Sequence, residues 1–180
     1  MDYFLIKPDP EYTDAPRLAD LSQKLETTPF YSNQSFSIPF RTVIRVHANE
    51  HMDFIDYLYQ FLPLFSVRAM NTIWRFDNDF IHKQIILADF ENAEDRMYYL
   101  PFFPRFSDEV IIEPVSSYML ERSSIVADIK LRIPYVLPFF FVFWQRRCLP
   151  FIRLDVAEGM LRNGCRGFLL FEADVFVEEE

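Results

Sequence analysis

All the glycine of this chain falls in one nine-residue window. Gly159, Gly164 and Gly167 lie within Asp155-Val156-Ala157-Glu158-Gly159-Met160-Leu161-Arg162-Asn163-Gly164-Cys165-Arg166-Gly167-Phe168, and the rest of the 180 residues contain none. Glycine marks places where the backbone needs a conformation that a side chain forbids, so the window reads as one compact structural unit. Asp155 is expected to cap a helix, with Glu158 reaching back to it in a capping box. Val156 and Met160 share one helical face, as do Ala157 and Leu161. Asn163-Gly164 reads as the helix stop, with Gly164 left-handed. Gly167 then leads into an apolar strand, Phe168 to Val177.

Composition limits what surrounds this unit. Hydrophobic residues make up 51% of the chain and aromatics 18%, with 21 Phe. That is too apolar for a disordered segment and enough for one core, so residues 1–180 are read as a single domain. The net charge is −9, and the longest Lys/Arg run is Arg146-Arg147. Phosphate binding needs a basic patch, so no nucleic acid and no anionic membrane surface are expected; a basic partner protein suits the charge. The longest apolar stretch, Pro134 to Trp144, is too short to span a bilayer. The Met1-Asp2-Tyr3-Phe4 start lacks a basic signal region, and a cytoplasmic location follows as an expectation. Cys148 and Cys165 read as reduced, buried thiols.

The pattern along the chain points to an α+β fold, with a mixed or antiparallel sheet and short peripheral helices. Expected strands are Tyr3 to Ile6, Phe40 to Val46, Leu64 to Ser66, Phe80 to Phe90, Val110 to Ile112, Ile129 to Ile133, Phe139 to Trp144 and Phe168 to Val177. Helices are expected over Pro16 to Glu26, His51 to Leu62, Arg68 to Arg75 and Ser116 to Arg122. The clearest is His51 to Leu62, where Met52, Ile55, Tyr59 and Leu62 recur at helical spacing. Thr27 to Pro39 reads as a loop. Tyr98 to Phe106 reads as an aromatic segment punctuated by proline. Segments 63–90 and 150–177 share an order: short strand, capping residue (Ser66 or Asp155), helical turns, polar reversal, long strand. They are either an internal duplication or two uses of a common unit. The first has no glycine, so Asp77-Asn78-Asp79 must make its turn.

Two residue sets could carry chemistry or binding. His47-Ala48-Asn49-Glu50-His51 matches H-x-x-E-H, in which two histidines share a metal and the glutamate acts as base. That motif requires a helix through His47, but Val43 to Val46 reads as a strand and Asn49 as a cap. A metal-dependent hydrolase using His47, Glu50 and His51 is therefore an alternative, and neither metal nor cofactor is expected. His82, alone in an apolar strand, reads as a structural histidine. The second set is acidic. Asp89, Glu91, Glu94 and Asp95 follow one long strand; Glu172 and Asp174 lie on the other, opposite the apolar face of Leu169, Phe171, Ala173, Val175 and Val177. These carboxylates are either ordinary solvated positions or a surface that docks a basic partner.

The string from Pro150 to Phe171, with Gly164, Gly167 and Phe168 in the turn and final strand, resembles the end of a bacterial immunity-protein family. This is the eleventh immunity family of the polymorphic-toxin classification, formerly a domain of unknown function. The opening Tyr3-Phe4-Leu5-Ile6 strand and the Ser66 segment resemble the family's first strand and central passage. The resemblance rests mainly on about 22 residues, and Pro101 to Pro138 has no counterpart. It implies a non-enzymatic protein that binds and neutralises a cognate toxin. A scaffold or small-ligand domain, with Tyr98 to Phe106 lining a pocket, is a third reading.

Overall fold

Two β-strands of this protein run into helices with no loop between, and the two helices pack against each other. A computed structural model describes residues 2–25, 28–47, 49, 51–113, 130–144 and 147–178. In chain order these form β1 (Tyr3–Pro8), α1 (Leu21–Lys24), α2 (Thr28–Tyr31), β2 (Arg41–Arg45), β3 (Tyr57–Tyr59), β4 (Pro63–Ser66), α3 (Val67–Ile73), β5 (Ile81–Asp89), β6 (Glu94–Phe102), β7 (Arg105–Phe106), β8 (Ile111–Glu113), β9 (Lys130–Ile133), β10 (Phe139–Trp144), β11 (Arg147–Arg153), α4 (Leu154–Arg162) and β12 (Phe168–Val177). The fold is α+β, with two mixed sheets among the described residues. One runs β2-β5-β6-β4-β3 and the other β7-β10-β11-β1-β12-β9-β8.

Segments 63–90 and 150–177 have the same topology. β4, α3 and β5 form a strand–helix–strand unit whose two strands both pair antiparallel with β6, which lies between them. β11, α4 and β12 repeat this around β1. Each unit is thus a parallel pair split by an antiparallel strand, with its helix on one face. The inserted strand follows the unit in one case (β6) and precedes it in the other (β1).

The seven-stranded sheet cannot be flat. Its outermost strands, β7 and β8, are joined by residues 107–110, a connection that spans at most about 18 Å. Six strand spacings laid flat would separate them by about 29 Å. The sheet therefore curls, and its inner face closes a core of Tyr3, Leu5, Leu131, Ile133, Phe140, Val142, Phe151, Ala173 and Val175. The larger core lies between the sheets. It joins Ile6, Phe139, Phe141 and Ile152 from one sheet to Ile44, Phe65, Ile85 and Leu100 from the other, with Met70 and Ile73 of α3 and Val156 and Met160 of α4.

The two units touch at Gly159. Gly159, mid-helix in α4, faces α3 so closely that a Cβ would lie 3.1 Å from Thr72 Cγ2 and 3.2 Å from Phe76. Gly167 has φ +90°, and a Cβ there would fall 2.5 Å from Ile55 Cβ. Gly164 is left-handed as expected, at φ +70° with open space around it. Beside them Asp56, 4% exposed, joins both units. Its carboxylate accepts from the Ser66 hydroxyl and from the Arg166 N–H, 2.9 Å away, with the Arg68 guanidinium at 3.7 Å. Ser66 in turn caps α3, accepting from Ala69 N–H at 3.2 Å.

Several expectations are corrected. His51 to Leu62 is not a helix but an irregular stretch that contains the short strand β3. Its backbone is held from outside: Asp53 N–H donates to Asp14 O and Asp56 N–H to Arg166 O. Tertiary bonds here override local periodicity. Pro16 to Glu26 keeps one helical turn, α1, because Ala19 N–H donates to Arg45 O and Leu18 bridges Val46 beside β2. Tyr98 to Phe106 is mostly the inner half of β6, and its aromatic side chains are core. The capping box does not form. α4 begins at Leu154, whose N–H donates to Asp2 O, so Asp155 pairs with Arg153 and Glu158 with Arg162. Leu161 points out to solvent. The Ser116 to Arg122 helix lies outside the described residues.

The two left-handed glycines should respond differently to alanine. Gly164→Ala meets only the backbone cost of about 1–2 kcal/mol. Gly167→Ala adds a steric clash worth a further 1–3 kcal/mol or so. Urea unfolding of both variants measures the difference; equal losses would contradict the close approach to Ile55.

Candidate functional site

The first acidic cluster sits on the β5–β6 hairpin, which is paired from Ile81↔Phe102 to Asp89↔Glu94. Asp89 is not available to a partner: it is 3% exposed and folds the turn. Its Oδ1 accepts from Glu91 N–H at 2.9 Å and Asn92 N–H at 3.1 Å, and its Oδ2 from Asn92 Nδ2 at 2.8 Å. These bonds outweigh the opposing burial and hold the carboxyl below the ordinary carboxylate range. The turn closes through Ala93 at φ +52°, a left-handed residue with no glycine to fill it. Glu94 pairs with Arg96 at 2.6 Å. Glu91 and Asp95 are exposed, as is Phe90, under the Arg45 guanidinium.

Glu172 and Asp174 lie in the other sheet. β12 pairs with β1 from Phe168 to Ala173 and with β9 from Asp174 to Val177. Ala173 and Val175 point into the curled core, and Glu172, Asp174 and Phe176 point outward, exposed. Leu170, earlier on that face, still packs against the core between the sheets. The outward face is therefore covered at its start and open beyond. The two acidic clusters occupy different sheets.

The residues weighed for catalysis are used structurally. His47 is exposed and its N–H donates to Arg17 O; His51 N–H donates to Asn49 Oδ1 at 3.2 Å. His47, Asn49 and His51 lie in no helix, so the pitch that would bring the two imidazoles together is missing, while Glu50 lies outside the described residues. No group of three metal-ligating side chains comes together among the described residues. His82 sits among the rings of Trp74, Phe80 and Tyr99. Burial pushes the Cys148 thiol well up and, with the Asp56 charge, pushes Cys165 up to about 12. Neither is a thiolate at neutral pH.

The concave feature that sequence reasoning missed lies in a seam. β1 and β11 are paired from Tyr3↔Arg153 to Leu5↔Phe151. One step on, the register would set Ile6 against Pro150, which has no N–H to donate, and the strands part. β1 stays on β12 to Pro8↔Phe168, and β11 stays on β10 to Trp144↔Arg147. The opened seam holds a cavity of about 160 Å³, lined by residues 5–8 and 147–150 with Tyr57 and Tyr59. Cys148 N–H donates to the Tyr59 hydroxyl across it, at 3.2 Å. Lys7 Nζ and Tyr57 Oη are both buried with no hydrogen-bond partner among the described residues. Burial, then the nearby Arg147 charge, lowers the Lys7 pKa. A second hollow of about 330 Å³, between residues 8–18 and 55–60, shares Pro8, Tyr57 and Tyr59 with the first. The signals were present but bland: a lysine ending an apolar strand, and a proline inside another.

No helix among the described residues is long and apolar enough to cross a membrane. For Asp89, a folded-state pKa below the unfolded one means that the unfolded chain takes up the proton first. The turn's stabilisation is whole above the free carboxylate value and fades as pH falls through that value and below it. Asp89→Asn keeps the turn geometry and should flatten that acid limb in urea midpoints measured against pH; an unchanged limb would show that Asp89 does not carry it. No family model matches this chain, and no curated protein matches it either.

Proposed function

We propose that this is a non-catalytic bacterial immunity protein of the cytoplasm that binds and neutralises a cognate toxin, a basic protein. The observation that carries the reading is the outward face of β12. Paired with β1 as far as Ala173 and with β9 from Asp174 on, the strand leaves Glu172, Asp174 and Phe176 exposed, the phenylalanine at 52%. An exposed aromatic beside two carboxylates is the make-up of an interface anchor with a charged rim. The same C-terminal unit carries the resemblance to the immunity family, and Ala173 and Val175 on the strand's other face pack it into the curled core. A rigid surface loses little entropy on docking. Acidic charge at the rim would steer a basic toxin onto it.

The test is co-expression with the product of the neighbouring gene, followed by pull-down and growth rescue. The expected result is a toxic neighbour whose toxicity this protein relieves. Charge reversal by Glu172→Lys with Asp174→Lys should slow association by on the order of tenfold at low salt. Phe176→Ala should weaken the complex by about 2 kcal/mol. A neighbour without toxicity, or toxicity that this protein leaves untouched, would sink the proposal.

A further inference from the structure

The outer edge of β2 is covered along only part of its length. Within its sheet this strand pairs with β5 alone. Alternate residues of such a strand turn their N–H and C=O toward the neighbour, and the others turn theirs away. Phe40 O accepts from Gln84 N–H and Val46 N–H donates to Ala88 O, so residues 40, 42, 44 and 46 face β5 and residues 41, 43, 45 and 47 face outward. At the far end the outward groups are taken. Arg45 N–H donates to Asp20 Oδ1 at 2.8 Å, Arg45 O accepts from Ala19 N–H, and His47 N–H donates to Arg17 O. At Arg41 and Val43 the outward N–H and C=O have no partner among the described residues. Both residues are exposed, Val43 at 45%.

The neighbouring side chains determine what suits these bare groups. Arg41, Val43 and Arg45 share the exposed side of the strand, in a chain of net charge −9. Arg41 Nε donates to a neutral acceptor, Gln84 Oε1, at 2.8 Å. The Arg45 guanidinium lies 5.3 Å from the centre of the Phe90 ring. Neither reaches a carboxylate among the described residues. Charge on a bare edge guards it against its own kind: two β2 edges brought together would set arginine opposite or diagonal to arginine, which is repulsive. The same charges attract a strand that carries carboxylates.

We propose that the open part of β2 takes up an extended acidic segment of a partner protein by strand addition. Main-chain hydrogen bonds to Arg41 and Val43 hold the segment, and alternate side chains select it. Its carboxylates lie on the side of Arg41 and Arg45, and its apolar residues lie on the side of Thr42, which is 8% exposed. β2 and β12 belong to different sheets, and this inference does not rest on the reading of β12.

A short capped peptide of alternating glutamate and valine is the probe, added to the full chain and followed by amide hydrogen exchange and NMR titration. Peptides with glutamine or lysine in place of glutamate are the comparisons. In the dilute free protein the Arg41 and Val43 amides should exchange fast, while those of Thr42 and Ile44, bonded to β5, stay protected. The glutamate peptide should saturate and slow exchange at Arg41 and Val43. The glutamine peptide should bind about threefold more weakly or worse, and the lysine peptide should not saturate. Arg41→Glu with Arg45→Glu should reverse that order. Val43→Pro, which an edge strand tolerates, should lose about threefold or more in affinity for the glutamate peptide. The idea fails if that peptide does not saturate, if the glutamine or lysine peptide binds as well, or if protection appears elsewhere. It fails too if the Arg41 and Val43 amides are already protected without peptide: at every concentration, the edge is covered within the chain; only at high concentration, a second copy takes it. The comparison of peptides on the unaltered protein decides the matter even where a variant does not fold.

Discussion

The fold depends on how closely segment 52–76 approaches the turn at 163–167. Two things make the approach possible. The first is absence of side chain: Ile55 occupies the space a Cβ on residue 167 would need, and Thr72 and Phe76 crowd the space beside Gly159. The second is a shared carboxylate. Asp56 is out of water, and only partners from both units, Ser66 and Arg68 on one side and Arg166 on the other, satisfy it. Removing one partner leaves a buried charge underbonded, which costs more than the lost bond itself. Docking is therefore close to all-or-none, and it holds the two sheets around one core.

Much of the architecture was legible because burial leaves an unmistakable pattern. β10 and β12 are apolar where they touch the cores, β9 alternates, and Ser66 and Gly164 sit where a helix must start and stop. What failed did so for one physical reason. Met52, Ile55, Tyr59 and Leu62 have helical spacing and are buried or half-buried, but their segment donates backbone hydrogen bonds to residues 14 and 166, and its Gln60 side chain accepts from Leu18 N–H. No local window contains those partners. Residues 16–26 fail similarly, drawn alongside β2.

The same distinction separates the two candidate sites. The acidic residues could be found from the chain alone, although Asp89 proved to be the closure of a turn rather than a contact. The seam could not. It arises where a pairing stops, and its residues come from positions near 7, 57 and 148. Only the register of β1 against β11 shows that Pro150 ends the ladder and leaves a hollow between the two strands. One site is a matter of what a strand displays, the other of what two strands fail to share.

The placement of β1 between β11 and β12 also bears on how the protein comes into being. β1 emerges from the ribosome well over a hundred residues ahead of both strands that will flank it. At the usual pace of synthesis it waits on the order of ten seconds with both edges bare. Tyr3-Phe4-Leu5-Ile6 is the kind of segment that pairs with strangers in that interval. Lys7 and Pro8 follow it at once, a charge and a residue without an N–H, which are the features that guard such segments against self-association. The lysine that ends up with its ammonium over the Phe171 ring thus has an earlier duty, as a sentry on a strand awaiting its neighbours.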